Sequence, residues 1–300
     1  MLKKISLIAL LGLMFFSFSS SIYAEDETDS LKAFKGWKKS LNVDLTVTQA
    51  NYSDSWTGGE AGNFSWVSNA NGVFTKWLSD WFRLKNTVKL SFGQTLTQDQ
   101  ETKEWSKPKK STDKIDIEAV GLINLHTWVE PFIAGRFESQ FQDASDEVFK
   151  ENLDPMLLTL SAGGAKELLV TDKNEILSRL GLAIKHYRNK YHDYAGSTDT
   201  THTDTEAGLE SNTDVKLALG ENFDYLGKLT VYKAFTITDE DLQPNDYWKA
   251  VDVNWENSFT ASVSKYIKVT LYTQLLYDKE ISKKGRFKET LSLGIAYKLM

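Results

Sequence analysis

The chain contains no cysteine. That excludes a disulfide framework and any thiolate metal site. A chain of this composition must therefore take its stability from its own non-covalent packing. It also lacks a basic surplus: the formal net charge is −6. Nucleic acid, which calls for a basic face, is excluded as a partner. Long apolar runs are missing too. Beyond the first residues, no stretch reaches the about 18 consecutive apolar residues of a membrane helix. Sustained helical periodicity and the continuous apolar strands of a parallel sheet are equally absent. Aromatics nevertheless make up 12% of the residues, with nine Trp. One apolar face per strand and many wet loops would reconcile these facts.

The first residues read Met1-Leu2-Lys3-Lys4, then an apolar run Ile5–Phe18, then small residues to Ala24. This is the layout of a secretory signal peptide. The run is shorter than the about 20 residues a membrane helix needs. Cleavage is expected after Ala24, which removes Lys3 and Lys4 but no acid. Residues 25–38 show no period and are expected to form a periplasmic tail.

From residue 39 onward the dominant period is two. The last strand is the clearest case. Phe287, Leu291, Leu293, Ile295, Tyr297 and Leu299 share one face, with Glu289 among them. Lys288, Thr290, Ser292, Gly294, Ala296 and Lys298 share the other. Alternation of this kind belongs to a strand. A long apolar edge left open would aggregate, so the first strand, about Leu41–Tyr52, is expected to close onto it. About twelve such segments follow one another, most longer than the ~9–11 residues of a tilted transmembrane strand. Their connections alternate between long and short, as in outer-membrane barrels. The expected fold is an all-β, transmembrane up-and-down antiparallel β-barrel over residues 39–300. Its place is the cell outer membrane and its first partner is outer-membrane lipid.

Two groups of residues follow from that frame. The lumen-facing set is Arg83, Lys85, Lys89, Asp116, Glu118, Arg136, Glu138, Arg179, Lys185, Glu210, Asp214, Lys216, Asp252, Glu256 and Lys268. Its signs balance, which suits a salt-bridged, water-filled interior better than a selective constriction of one sign. The interfacial girdles are assigned to Trp66, Trp77, Trp81, Trp128, Tyr187, Tyr225, Trp248, Tyr266 and Tyr277, close to the connections.

Other chemistry finds little support. His192 and His202 share a polar stretch, 189–206, with Asp193, Asp199 and Asp204, but their spacing matches no metal motif. That stretch is expected to be a loop. There is no G-x-S-x-G, and no serine lies well placed beside His186 for a barrel lipid hydrolase. No catalytic residue, metal or cofactor is assigned. Trp56-Thr-Gly-Gly-Glu-Ala-Gly62 is not a phosphate loop, because it leads into a strand and lacks the Lys-Ser/Thr ending.

Thr48-Gln-Ala-Asn-Tyr-Ser-Asp-Ser-Trp-Thr-Gly-Gly-Glu60 resembles the N/S-W-x-x-G-G opening of a domain-of-unknown-function family of outer-membrane β-barrels in Gram-negative bacteria. Lys110-Ser-Thr-Asp-Lys-Ile115 and Phe137-Glu-Ser-Gln-Phe141 are similar to two later pieces of that pattern. Ser55 stands where the family usually has Asn. The resemblance implies the barrel and its location, and carries no functional residues. The expected function is a narrow channel or transporter for a small polar solute. A structural or surface-interaction barrel is the alternative, with a lipid hydrolase behind both. The final strand, through Tyr297 and Leu299, is expected to be read by the barrel-assembly machinery.

Overall fold

A computed structural model describes residues 36–52, 61–143, 150–171, 173–193, 198–238, 240 and 245–298. Twelve antiparallel strands follow in chain order: β1 (Trp37–Ala50), β2 (Asn63–Ser79), β3 (Phe82–Thr97), β4 (Lys109–Ile123), β5 (Glu130–Ser139), β6 (Met156–Val170), β7 (Glu175–Asp193), β8 (Thr198–Ala218), β9 (Phe223–Ile237), β10 (Val251–Ser262), β11 (Ile267–Tyr277) and β12 (Arg286–Lys298). Each pairs with its sequence neighbours, and β1 also pairs with β12, so the sheet closes on itself. Val43 stands opposite Tyr297, and Leu45 opposite Ile295. Over residues 294–298 the edge of the final strand is covered by Asn42–Thr46 of the first strand of the same chain, which shortens the open edge.

The period of two holds around the barrel. On β12, Phe287, Leu291, Leu293 and Ile295 point outward and are 62–72% exposed. Leu158 and Leu160 on β6, Leu180, Leu182 and Ile184 on β7, and Phe235 on β9 extend the same apolar outer surface. Leaving one such side chain in water instead of an apolar phase forfeits about 1.5–3 kcal/mol. An outer surface of this kind calls for an apolar surrounding.

One rim carries short connections, several closed by their own side chains. At the β4–β5 turn, the Leu125 and Thr127 amides donate to the Glu130 carboxylate at 2.6 and 2.9 Å. At the β6–β7 turn, the Asn174 amide donates to Thr171 Oγ1 at 2.9 Å. The other rim carries the long connections. One includes a two-stranded pair, Gln142–Asp143 with Glu151–Asn152, and another a 3-10 turn, Asp246–Lys249.

Two expectations change. β1 begins at Trp37, so the tail assigned to 25–38 overlaps the strand. The stretch 189–206 is mostly strand: Asn189 pairs with His202 and Asp193 with Thr198. Both its faces are polar, so no apolar alternation marks it. Its many Thr residues and Tyr191 still favour extended backbone.

Close strand contact is needed between β6 and β7. Gly163 on β6 faces Gly181 on β7. A Cβ on Gly181 would lie 2.3 Å from the Ala162 carbonyl oxygen, and one on Gly163 would lie 2.2 Å from that of Leu180. Backbone cannot yield as a flexible side chain does. Gly181→Val is expected to lower stability by roughly 3 kcal/mol through overpacking. Urea titration of tryptophan fluorescence in micelles measures this, with Gly285→Ala, whose added Cβ meets nothing closer than 3.8 Å, as the silent control.

Candidate functional site: the barrel interior

Alternate residues of every strand point inward, and the wall formed by β3 to β10 fills the middle of the lumen with paired charges. Arg136 (β5) reaches Asp116 (β4) with two nitrogens, Nε at 3.0 Å and Nη2 at 2.9 Å. The same Nη2 lies 2.9 Å from Glu138. Arg179 (β7) donates to Glu118 at 2.8 Å and to Asp214 at 3.1 Å. Lys228 (β9) donates to the other Glu118 oxygen at 2.8 Å. Glu256 (β10) receives Lys89 at 2.8 Å, Lys114 at 2.6 Å and the Tyr272 hydroxyl at 3.1 Å. Toward the short-turn rim, Lys85 meets Glu175 at 2.6 Å, and Arg83 pairs with Glu167. Charges removed from bulk water are tolerable only when paired in this way.

Apolar plugs sit above and below that layer. Val120, Leu122, Phe132, Ala134, Ala165 and Leu177 form a buried cluster toward the short-turn rim. The Arg179 guanidinium lies 5.6 Å from the Phe132 ring centroid. Toward the long-loop rim, Trp248 from the β9–β10 connection packs with Ala183, Tyr232, Ala234 and Ile237. Only 4% of Trp248 is exposed. Asn245 caps its 3-10 turn by accepting from the Tyr247 amide at 2.9 Å, and Lys233 Nζ donates to the Lys249 carbonyl at 2.9 Å. Next to Trp248, Tyr247 turns toward the β11–β12 loop, with Lys279 and Lys283 at 4.5 and 5.2 Å from its ring centroid. Lys283 holds the Tyr247 phenol below its ordinary pKa. The described part of the segment therefore links the β7–β9 wall to the β11–β12 loop at this rim.

The opposite wall differs in kind. Through the middle of β12, β1 and β2 most inward side chains are short and polar, with Val67, Val73 and Trp77 of β2 as apolar exceptions, and several keep contact with solvent. Thr290, Thr48 and Asn71 are exposed, while Ser292, Asn42, Asp44, Thr46 and Asn69 are half-buried. Asn69 donates to Asp44 at 3.0 Å and accepts from Ser91 at 2.6 Å. Lys268 stands near Asp44. The accessible part of the lumen thus lies off-axis, along β12–β1–β2, facing the paired charges.

A carboxylate group gathers at the long-loop mouth. Glu280, in the β11–β12 loop, is surrounded by Glu206 and Asp204 of β8, Asp252 of β10 and Asp278. Burial first, and then these carboxylates, push its pKa up to about 7 from an ordinary 4.5. A raised acid pKa means that folding favours the protonated form. This group's contribution to stability is full below about pH 4.5, falls as pH rises to about 7, and is flat beyond. Urea midpoints at pH 5 and pH 8 should differ less in Glu280→Gln than in the parent chain.

Most sequence-assigned lumen residues enter the networks above. Lys185 lies 3.5 Å from the Tyr232 ring centroid, and Glu210 accepts from Asn212 at 2.7 Å. Asp252 is near Lys185. Lys216, on the same alternation, is exposed near the short-turn rim. Lys228, Glu167, Glu175 and Tyr272 were not assigned. The alternation of Lys228, Thr230 and Tyr232 against Leu229 and Val231 could have revealed the first.

Three girdle assignments change sides. Trp77 is in register with inward Arg83, whose guanidinium lies 5.7 Å from its ring centroid. Tyr187 follows Arg179, Ala183 and Lys185 on the inward alternation of β7. Trp248 is buried in the mouth. Closeness to a connection places a ring at a level, but strand parity or loop path decides its side. Trp66, Tyr225 and Tyr277 follow the outward alternation of their strands, and Trp81, Trp128 and Tyr266 are exposed in the short turns. Trp66 packs at 5.9 Å on Phe92, and Trp128 is 79% exposed.

The two histidines pair separately, His192 with Asp199 at 2.7 Å and His202 with Asp204 at 2.6 Å. Among the described residues, no group of three or more His, Asp or Glu is placed to hold a metal.

Residues 47–144 match the model of a family described as a protein of unknown function (DUF3078). All three sequence pieces that suggested such a family fall largely or wholly within this stretch; Ser53–Glu60 of the first lie outside the described residues. No curated protein matches the chain. Among solved structures, the chain is similar to an outer membrane channel from Pseudomonas putida F1, with 12% identity, coverage of 91% of this chain and 98% of that one, and a TM-score of 0.38. It is also similar to the translocator domain of autotransporter NalP from Neisseria meningitidis, with 10% identity, 86% coverage of each chain and a TM-score of 0.37. The NanC porin aligns at 8% identity over 87% of this chain and 100% of that one, with a TM-score of 0.36. At such scores the fold stands on the chain's own strand pairing.

Proposed function

We propose that this chain is an outer-membrane β-barrel that passes small polar solutes along the β12–β1–β2 side of its lumen. The observation that carries this reading is the two-sidedness of that wall. Leu291, Leu293 and Ile295 face out, largely exposed, whereas Thr290, Ser292, Asn42 and Asn69 face an accessible interior. An apolar outside suits lipid and a hydrogen-bonding inside suits water and solute. The short-turn rim is then periplasmic and the long-loop rim external. Export by a cleaved leader ending at Ala24, and recognition of the final strand during assembly, complete the reading. Non-enzymatic action belongs to it as well.

Liposome swelling tests it. Vesicles carrying the refolded chain should swell in an isosmotic small sugar and stay intact in a large dextran. Equal rates with and without the protein would contradict passage.

A second reading, a surface-interaction barrel, draws on the β7–β8 hairpin. β6 pairs with β7 only as far as Arg188, and β9 pairs with β8 only as far as Glu206. Beyond those rungs neither neighbouring strand pairs with it, although the Lys190 amide still donates to the Asp154 carboxylate at 3.0 Å and the Thr238 amide to the Thr205 carbonyl at 2.9 Å. If its removal abolished cell-surface binding of a partner while swelling persisted, this role would stand beside transport.

A further inference from the structure

The outer surface near the short-turn rim is uneven in one place. Phe223 (β9), Ala261 (β10) and Val269 (β11) lie side by side in one row, and Tyr225, Phe259 and Leu271 in the next. The small Ala261 between larger neighbours leaves a groove of about 350 Å³, lined by Phe223, Phe259, Ala261, Val269 and Leu271. Its aromatic wall is braced. Phe223 stacks on Phe259 with centroids 6.4 Å apart and planes 22° apart, and Tyr225 packs on Phe259 at 4.8 Å. The Tyr225 hydroxyl donates to Asn257 at 2.8 Å, which fixes the ring.

The rim end of the groove is charged. The β10–β11 turn is closed by the Val263 amide donating to the Ile267 carbonyl at 2.9 Å. Lys265 in that turn holds its ammonium 5.3 Å from the Tyr266 ring centroid. The neighbouring β8–β9 turn is tied to β10 by the Ser262 amide donating to the Asn222 carbonyl at 2.8 Å, and it carries Glu221. Two adjacent turns, one carrying a cation and the other an anion, therefore stand at the same end of one apolar groove. Lys–aromatic pairs recur along this rim, Lys76 with Trp37 and Lys166 with Trp128, both at 5.6 Å. Such pairs suit the headgroup level of a bilayer.

We infer that this groove is a binding site for one phospholipid with an amine-bearing headgroup. An acyl chain lies over Ala261, the phosphate meets Lys265 and the ammonium meets Glu221. The inference rests on the membrane reading above. Lipid wets the whole belt, and here a braced concavity lies beside two oppositely charged turns. Acyl chains elsewhere exchange freely, whereas a chain held between fixed rings and a tethered headgroup stays through detergent exchange.

Native mass spectrometry of the full chain in an alkyl maltoside tests this, with phosphatidylethanolamine, phosphatidylglycerol and phosphatidylcholine added in turn. One retained phosphatidylethanolamine is expected, in preference to the other two. Ala261→Phe or Val269→Phe, each filling the groove, should abolish retention. Lys265→Gln should weaken all three lipids, and Glu221→Gln should remove the preference for the amine. Undiminished retention in both groove-filling variants would overturn the site, as would a dimer in place of bound lipid. Heat-dependent gel mobility of each variant reports the barrel separately. A folded, detergent-dependent chain that retains no lipid refutes the site alone. A chain soluble without detergent refutes the membrane reading beneath it.

Discussion

Arg179→Met should lower the unfolding free energy by about 3 kcal/mol, the low end of the range for breaking a buried ion pair. Arg179 is 1% exposed and holds both Glu118 and Asp214. Among the described residues, its loss leaves Asp214 with only the distant Lys228, 4.0 Å away. Two features place the effect at the low end. Arg179 Nε and Nη1 have no acceptor among the described residues, so the guanidinium's own desolvation is only partly offset. Glu118 also keeps Lys228 at 2.8 Å. The pairing logic gives a sharper outcome for a double change. Arg179→Met with Asp214→Asn removes one charge of each sign and leaves Glu118 with Lys228, so most of the lost stability should return. Urea titration in micelles at low and high salt measures both, and the single-variant loss should persist at high salt because buried pairs are weakly screened. Equal losses in the single and double variants would mean that packing, not charge balance, sets the cost.

Trp248→Gly should raise single-channel conductance several-fold. Trp248 is buried near the mouth against Tyr232, Ala183, Ala234 and Ile237, and Tyr247 beside it places the segment next to Lys279 and Lys283. Deleting a buried Trp costs about 3–5 kcal/mol where surroundings cannot collapse. Here the cost should fall on the connection rather than on the barrel, because Trp248 comes from the segment joining β9 and β10. Proteolysis within 238–250 should therefore become faster, while the urea midpoint of the barrel stays close to the parent value. Tyr247→Ala should act in the same direction with a smaller step. If conductance were unchanged in Trp248→Gly while proteolysis accelerated, the segment would cover the mouth without restricting flow.

The strands were legible because the period of two depends only on which neighbours are apolar. The edge formed by Leu291, Leu293 and Ile295 implied a closing partner, and β1 supplies it. The inward charges were legible for the same reason, since Arg136 and Glu118 alternate with outward-facing Phe137 and Ile117. Their partners were not. Glu167 meets Arg83 and Glu256 meets Lys114 across the lumen, and which strands face each other there depends on stagger, which no local pattern records. Trp248 was read as a girdle residue because a Trp near a long connection fits that role. Only the path of the chain between β9 and β10 turns it inward. The Thr-rich arms of β7 and β8 hid for a different reason: with both faces wet, strand and loop look alike in sequence.

The most direct test of an open polar path is single-channel current through the refolded chain in a planar bilayer. Discrete, ohmic steps are expected for the parent chain, with larger steps for Trp248→Gly. A flat trace over a wide voltage range, from protein shown by heat-dependent gel mobility to be a folded barrel in the same membrane, would contradict it.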